Sequence, residues 1–254
     1  MRIISILALL FAINGLSAAA YTYNFSAGDG FEDMWANSAI GTLSELNKNA
    51  GVLAYTSVGN GYAENIWRPN FTLSLDHDWS VSVDINMVAS LYEQSTQVGA
   101  FFSIQTISGA IPLKNLVFFH TSYESGRIGE YVDSIRTGTG VSDIEVTSME
   151  LHYSGSDQKL ELLYTSKELA SLQSIGSYGF GASAGTLGYL NDASQDYEEI
   201  QLVLGAFSEQ SISEDEFSFD DLRVVVPEPR AGGLLMGGFI LFYMIYSRSP
   251  LVQG

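Results

Sequence analysis

The chain has 254 residues and carries 29 acidic against 11 basic side chains, a net charge of −18, with no cysteine. Such an acidic surface repels phosphate backbones, which argues against a nucleic-acid partner. The lack of cysteine excludes disulfides, zinc–thiolate centres and thiol nucleophiles. Burial of a hydrophobic core must therefore stabilise the folded chain.

Residues 1–20 are typical of a secretory signal peptide. A positively charged start is followed by an uninterrupted apolar run, Ile3 to Ile13, and by small residues at Ala18 and Ala20. Because these two alanines fit the −3 and −1 pockets of signal peptidase, cleavage is predicted before Tyr21. The apolar run is too short to span a bilayer. We expect the chain to be exported, with signal peptidase as a partner.

A second apolar segment, residues 231–246, lies near the C-terminus and carries no charge. As a helix it would be about 24 Å long at 1.5 Å per residue, slightly less than a hydrocarbon core of about 30 Å. Pro227 and Pro229 flank Glu228 just before it, and two prolines in this spacing belong to neither a helix interior nor a central strand. The sequence predicts an exposed, extended spacer followed by a short membrane span.

The Pro227-Glu228-Pro229 motif, the short glycine-containing span and Arg248 together resemble the PEP-CTERM sorting tail. The resemblance covers residues 226–250, although that family usually ends in several arginines where this chain has one. It implies an exosortase-type processing enzyme as a partner and the inner membrane as an intermediate location. The tail, 226–254, would then be cut and the protein left in the cell envelope, at the cell surface or in the extracellular matrix. The alternative is an ordinary single-pass anchor.

Residues 21–225 are predicted to form one all-β domain, an antiparallel jelly-roll β-sandwich. Runs of alternating or continuous apolar residues are separated by stretches rich in Gly, Ser, Asn and Asp, which favours short strands over helices. The predicted strand regions are Trp79–Met87, Val98–Ile104, Leu116–Phe119, a hairpin over Met149–Tyr164, Ile200–Phe207 and Phe217–Val226. Residues 37–49 are expected to hold a short helix or a loop.

The order of three of these segments resembles the concanavalin A-like, laminin G-like jelly roll. They are WSVSVDINM early in the chain, LHYSGSDQKLELLY in the middle and FSFDDLRVVV at the end. The resemblance implies that the last strand returns to pair near the first. This fold serves lectins, adhesion modules and glycan-cleaving enzymes alike, so it does not by itself assign a function.

No catalytic residue is predicted. Glycan hydrolases typically need paired carboxylates about 5 to 9 Å apart. In the laminarinase-type glycosidases that share the resembled fold, these lie on a Glu-x-Asp-x-x-Glu strand, and no such run occurs in the sequence. The adjacent acids of Glu214-Asp215-Glu216 are typical of a solvated loop. The Gly179-x-Gly181-x-x-Ala184 match to a dinucleotide fingerprint has no strand–helix context, so we expect no bound cofactor.

A structural Ca²⁺ is the one metal site that the sequence leaves open, against the alternative of plain surface acids. Hard cations need several oxygen ligands, and carboxylates near the first strand would approach those on the last if the predicted fold is right. The candidates are Asp29, Glu32, Asp33, Asp220 and Asp221.

Aromatic side chains in predicted loops are candidates for stacking on sugar rings, with core packing as the alternative. They are Trp35, Tyr62, Trp67, Tyr123 and Tyr131. The three histidines, His77, His120 and His152, show no metal-ligand spacing and are expected to be structural.

The resulting hypothesis is a non-enzymatic, exported, lectin-like protein that associates with polysaccharide or contributes to adhesion. Two alternatives stay open. One is an extracellular glycan hydrolase or lyase whose site the sequence does not reveal, and the other is a structural surface protein without a glycan ligand.

Overall fold

The computed structural model describes residues 18–41, 44–49, 51–94, 96–108, 111–132, 135–136, 140–179 and 199–227. Ala20 to Val226 forms one compact unit. The first half of the described chain contains β1 (Ala18–Tyr23), α1 (Phe31–Met34), β2 (Trp35–Gly41), β3 (Ser44–Asn49), β4 (Val52–Ser57), β5 (Ala63–Pro69), β6 (Leu73–Ser74), β7 (Trp79–Met87), α2 (Ala89–Tyr92) and β8 (Val98–Ser108). The second half contains β9 (Ile111–Thr121), the 3₁₀ turn η1 (Tyr123–Ser125), β10 (Arg127–Val132), β11 (Ile135–Arg136), β12 (Val141–Ser142), β13 (Val146–Ser154), β14 (Lys159–Ser166), β15 (Gln173–Gly179), β16 (Glu199–Ser208) and β17 (Phe217–Pro227).

The strands form two antiparallel sheets, which confirms the predicted β-sandwich. Sheet I has the order β15-β14-β13-β7-β17-β4-β3, with β1 paired to β17. Sheet II has the order β11-β10-β9-β8-β16-β5-β2, with β12 and β6 attached to β10 and β16. The pairing of β1 with β17 confirms that the last strand returns to the first.

The core lies between the sheets because each strand points alternate side chains inward. In β7 the predicted apolar face is buried over its whole length, with Val81 fully covered and Met87 5% exposed. The strand is paired on both sides, with β13 and with β17. The predicted hairpin is confirmed as β13 and β14, joined by a turn over residues 155–158.

The prediction of a short helix or loop over residues 37–49 is wrong, because β2 and β3 occupy this region as the edge strands of the two sheets. Their side chains are mostly small or polar, so they lack the apolar, β-branched composition that marks a strand. Leu46 is the buried anchor of β3, and its neighbours alternate outward. Pairing with β4 and β5 is what makes these segments extended.

The predicted processing sites lie at the limits of the described chain. β1 begins at Ala18, so this strand runs across the predicted signal-peptidase site before Tyr21. β17 ends at Pro227, the first residue of the predicted sorting motif. Residues 1–17, Glu228, Pro229 and the predicted span 231–246 lie outside the described residues. Within the described residues, no helix is long and apolar enough to cross a membrane.

Candidate functional site

The outer faces of the two sheets differ in chemistry. On sheet I the outward positions of neighbouring β7 and β13 carry hydroxyl, carboxylate and imidazole groups: Ser80, Ser82, Asp84, Glu150 and His152. On sheet II an apolar cluster that is separate from the main core covers the outer face: Ile66, Phe101, Phe119 and Val203, with Val117 and Phe207 packed against it. A solvated sheet face is normally polar, so the outer face of sheet II is the unusual surface of the domain.

This apolar cluster forms the floor of a groove of about 330 Å³ on sheet II. The strands β5, β16, β8 and β9 are adjacent in the sheet and all contribute to it. Its polar lining consists of Tyr62, Glu64, Arg68, Gln97, Ser103, Gln105 and Thr121. Apolar and aromatic side chains combined with polar groups are the usual lining of a small-molecule site.

Cross-strand pairing sets the layout of the groove. Residues directly opposite in an antiparallel pair project to the same face. One row across the strands therefore joins Glu64, Phe207, Gly99 and Thr121, and the next joins Ile66, Gly205, Phe101 and Phe119. Each row contains a glycine opposite a phenylalanine. Along the floor, large aromatic side chains therefore alternate with positions that have no side chain.

The glycines make room for the rings of the floor. A Cβ added to Gly205 would lie 2.2 Å from the ring of Phe101, and one added to Gly99 would lie 2.7 Å from the ring of Phe207. A Cβ added to Gly129 would likewise lie 3.0 Å from the ring of Phe119. The rings therefore lie low across the neighbouring strand instead of projecting away from the sheet.

We expect Gly205→Ala to lower the free energy of unfolding by about 1–3 kcal/mol, the usual cost of overpacking, because Phe101 must leave its position. Gly176→Ala on β15 is the matched control, since its added methyl would make only ordinary contacts, at 3.7 Å and beyond. That control should change stability by no more than about 0.5 kcal/mol. Urea unfolding of both variants measures the difference in stability. Equal losses of stability in the two variants would show that displacement of the Phe101 ring is not the cause.

Tyr62 and Glu64 form the most accessible end of the groove. Tyr62 is 50% exposed, and its ring stacks on that of Phe207 with centroids 6.3 Å apart and an interplanar angle of 25°. Its hydroxyl donates a hydrogen bond to Oε2 of Glu64. Partial burial raises the pKa of Tyr62, and the neighbouring Glu64 raises it further. The phenol therefore stays protonated and remains a donor at neutral pH.

Arg68 lies on the same face of β5 as Glu64, roughly 13 Å further along the strand at about 3.3 Å per residue. Its Nη1 donates a hydrogen bond to Oγ of Ser38 on the neighbouring edge strand, over 3.0 Å.

The backbone N–H of Gln97 donates to Oε2 of Glu209 over 3.4 Å, which places a further carboxylate beside the Tyr62 end.

The structure brings one of the predicted stacking aromatics, Tyr62, into the groove. Trp35 and Trp67 are buried and belong to the core between the sheets, while Tyr123 lies on η1 and is 38% exposed. The side chain of Tyr131 lies outside the described residues.

Sequence reasoning missed Phe101, Phe119 and Phe207, because continuous apolar runs such as VGAFFSI predict a strand that is covered on both faces.

The three histidines lie in different surroundings. His120 is fully buried, with Nδ1 3.1 Å from the carbonyl oxygen of Arg127 and Nε2 3.0 Å from the hydroxyl of Tyr92. His152 lies on the exposed face of sheet I, 2.6 Å from Glu150. His77 is exposed. None of the three lies in the groove.

The carboxylates considered for Ca²⁺ do not assemble. Asp29 is held by Lys48 at 2.7 Å and caps the N–H of Phe31 at 3.0 Å. Burial alone would raise the pKa of Asp29, but these two hydrogen bonds lower it overall. Asp220 lies opposite Asp84 on sheet I. Among the described residues, no group of three or more carboxylate or imidazole side chains is placed to bind a metal ion.

The fold is similar to that of solved lectins. Lectin UEA-II complexed with galactose matches with a TM-score of 0.54 and 11% identity, covering 82% of this chain and 98% of the lectin. Lectin I-B4 from Griffonia simplicifolia, in a metal-free form, matches with a TM-score of 0.53 and 11% identity, covering 83% of this chain and 100% of the lectin. Winged bean acidic lectin complexed with methyl-α-D-galactose matches with a TM-score of 0.54 and 9% identity, covering 83% and 99%.

At these identities the likeness establishes the fold, an antiparallel sandwich of the legume-lectin, concanavalin A-like kind. No protein-family model matches the sequence, and a comparison with curated proteins finds no match.

Proposed function

We propose that this chain is an exported protein of the cell surface or extracellular matrix whose lectin-like β-sandwich binds carbohydrate without cleaving it. Signal peptidase would remove residues 1–20 and an exosortase-type enzyme would process the tail, 226–254. The observation that carries the binding function is the groove on sheet II, where an aromatic floor and a polar lining meet on an outer face. The fold shared with lectins supports it.

The lining of the groove favours binding over hydrolysis. Cleavage of a glycosidic bond needs two carboxyl groups about 5 to 9 Å apart, one on each side of the bond. Among the described residues that line the groove, Glu64 is the one carboxylic acid, and it already accepts a hydrogen bond from Tyr62. The neighbouring Glu209 lies outside this lining and accepts a hydrogen bond from the backbone N–H of Gln97. We therefore assign Glu64 to binding.

The binding function is tested with exported protein recovered from the cells that produce it. We expect retention on polysaccharide, including the matrix of the producing cells, and no release of reducing sugar. Release of reducing sugar that Glu64→Gln abolishes would establish a glycan-cleaving enzyme, a hydrolase or a lyase, instead. Failure to bind any polysaccharide would leave a structural surface protein.

The proposed export and processing of the chain are tested by intact mass measurement of the surface, medium and membrane fractions. We expect a species that begins at Tyr21 and ends between Pro227 and Arg230. Replacing Pro227 and Pro229 by alanine should shift the protein to a longer form that keeps residues 231–254, because the extended spacer is lost. Wild-type protein recovered with its tail intact in the inner membrane would contradict sorting and indicate a permanent anchor.

A further inference from the structure

We infer that the groove on sheet II selects an uncharged polysaccharide, and that Tyr62 is the residue on which a sugar ring stacks. This inference rests on the proposed carbohydrate-binding function and names its ligand class and principal contact. Three observations support it: the exposure and fixed orientation of Tyr62, the balance of charge in the groove, and the chemistry of its polar side chains.

Tyr62 is the accessible aromatic ring of the groove. The floor rings Phe101 and Phe119 are only 8% and 6% exposed, whereas Tyr62 is 50% exposed. Phe207 supports one face of the Tyr62 ring, and the hydrogen bond to Glu64 holds its hydroxyl. A ring that is already held at two points loses little conformational entropy when a sugar binds. This smaller entropy loss favours binding. Phe207, which itself packs against Phe101, is its support.

The charges of the groove do not suit a polyanion. Glu64 and Arg68 are the two charged side chains in the lining, they have opposite sign, and they lie at different positions along β5. Glu209 adds a negative charge near Gln97, at the Tyr62 end. A polyuronate carries a charge on every sugar and would meet these carboxylates in a chain of net charge −18. Like charges at close range oppose binding, so an uncharged polymer fits better.

The polar lining suits hydroxyl groups better than a lipid chain. The side-chain amides of Gln97 and Gln105 each offer both a donor and an acceptor, which is what a sugar hydroxyl requires. An acyl chain over the same floor would leave these groups without hydrogen-bond partners, and an unsatisfied polar group at a covered site is costly. The groove therefore combines the Tyr62 ring, which suits the apolar face of a sugar, with hydrogen-bond partners for the hydroxyl groups at the edge of the sugar.

The test measures the affinity of the exported protein for a soluble neutral glucan and for a polyuronate of similar length. We expect binding to the glucan, weaker or no binding to the polyuronate, and a glucan affinity that does not change between about 50 and about 500 mM salt, because screening acts on charges. Tyr62→Ala should weaken glucan binding roughly tenfold, which corresponds to about 1.4 kcal/mol. Tyr62→Phe keeps the ring and should bind within about threefold of wild type, a change of about 0.7 kcal/mol.

Leu169→Ala is the control, since it removes an exposed apolar side chain (47% exposed) beside sheet I and should leave affinity unchanged. Thermal unfolding of each variant shows that the fold is kept. Tighter binding of the polyuronate, or glucan binding that Tyr62→Ala does not weaken, would overturn this inference and leave carbohydrate binding standing. Absence of binding to every polysaccharide would overturn the proposed function as well.

Discussion

Replacing Phe31 by alanine is expected to lower the free energy of unfolding by about 3–5 kcal/mol, the usual cost of deleting a buried phenylalanine. Phe31 is fully buried in α1, and its ring contacts four others, in Tyr23, Phe25, Trp35 and Trp67, at centroid distances of 4.8 to 5.5 Å. These rings come from the N-terminal segment and from two strands of sheet II. The alanine variant would leave a cavity between them.

The control for Phe31→Ala is Phe71→Ala, because Phe71 is only partly buried and has one described ring contact, with Trp35 at 6.1 Å. We expect this variant to lose about 1–2 kcal/mol. Urea unfolding followed by tryptophan fluorescence measures both variants. Equal losses would show that Phe31 does not organise the aromatic cluster.

Acid should destabilise the domain through His120. Burial lowers the pKa of this imidazole from 6.5 to about 4. Because the unfolded chain binds the proton more readily, this contribution to stability is fully present above about pH 6.5 and falls as the pH drops toward 4. The loss would reach about 3 kcal/mol, at 1.36 kcal/mol for each pKa unit. Below about pH 4 both states are protonated and this residue adds no further loss.

The hydrogen bonds of His120 explain why the neutral ring is kept. With Nδ1–H donating to the carbonyl of Arg127, Nε2 is left to accept the hydroxyl proton of Tyr92. Protonation of Nε2 removes that acceptor in a site without solvent. The many carboxylates of the chain also titrate, so His120→Gln serves as the reference. The difference in stability between wild type and variant should shrink as the pH falls from 6.5 to 4, and a constant difference would refute the assignment.

Strand positions were largely predictable because burial on one face imposes a period of two on the sequence. The segment WSVSVDINM shows this alternation, and its apolar residues are buried as predicted. Residues 37–49 show no such pattern, since edge strands contact a single neighbour and tolerate small and polar side chains. The structure alone revealed that they are strands.

The groove was not predictable from local pattern. In VGAFFSI, Phe102 faces the core and Phe101 faces outward, but both are apolar and the sequence gives no means of separating them. Gly205 and Phe101 are 104 positions apart in the chain, and only the register of β16 against β8 places one opposite the other. The same holds for Gly99 and Phe207. The floor is a product of strand pairing.

The sequence by itself determined the all-β class, the hairpin over β13 and β14 and the core face of β7, because these depend on periodicity and turn chemistry within short segments. It also predicts export and a sorting tail, from linear motifs that processing enzymes read in an extended chain. The tertiary structure decided the edge strands, the commitment of Asp29 to Lys48 instead of to a metal cluster, and the groove with Tyr62 at its accessible end. Each of these depends on contacts between residues distant in sequence, which form only when the two sheets pair and pack.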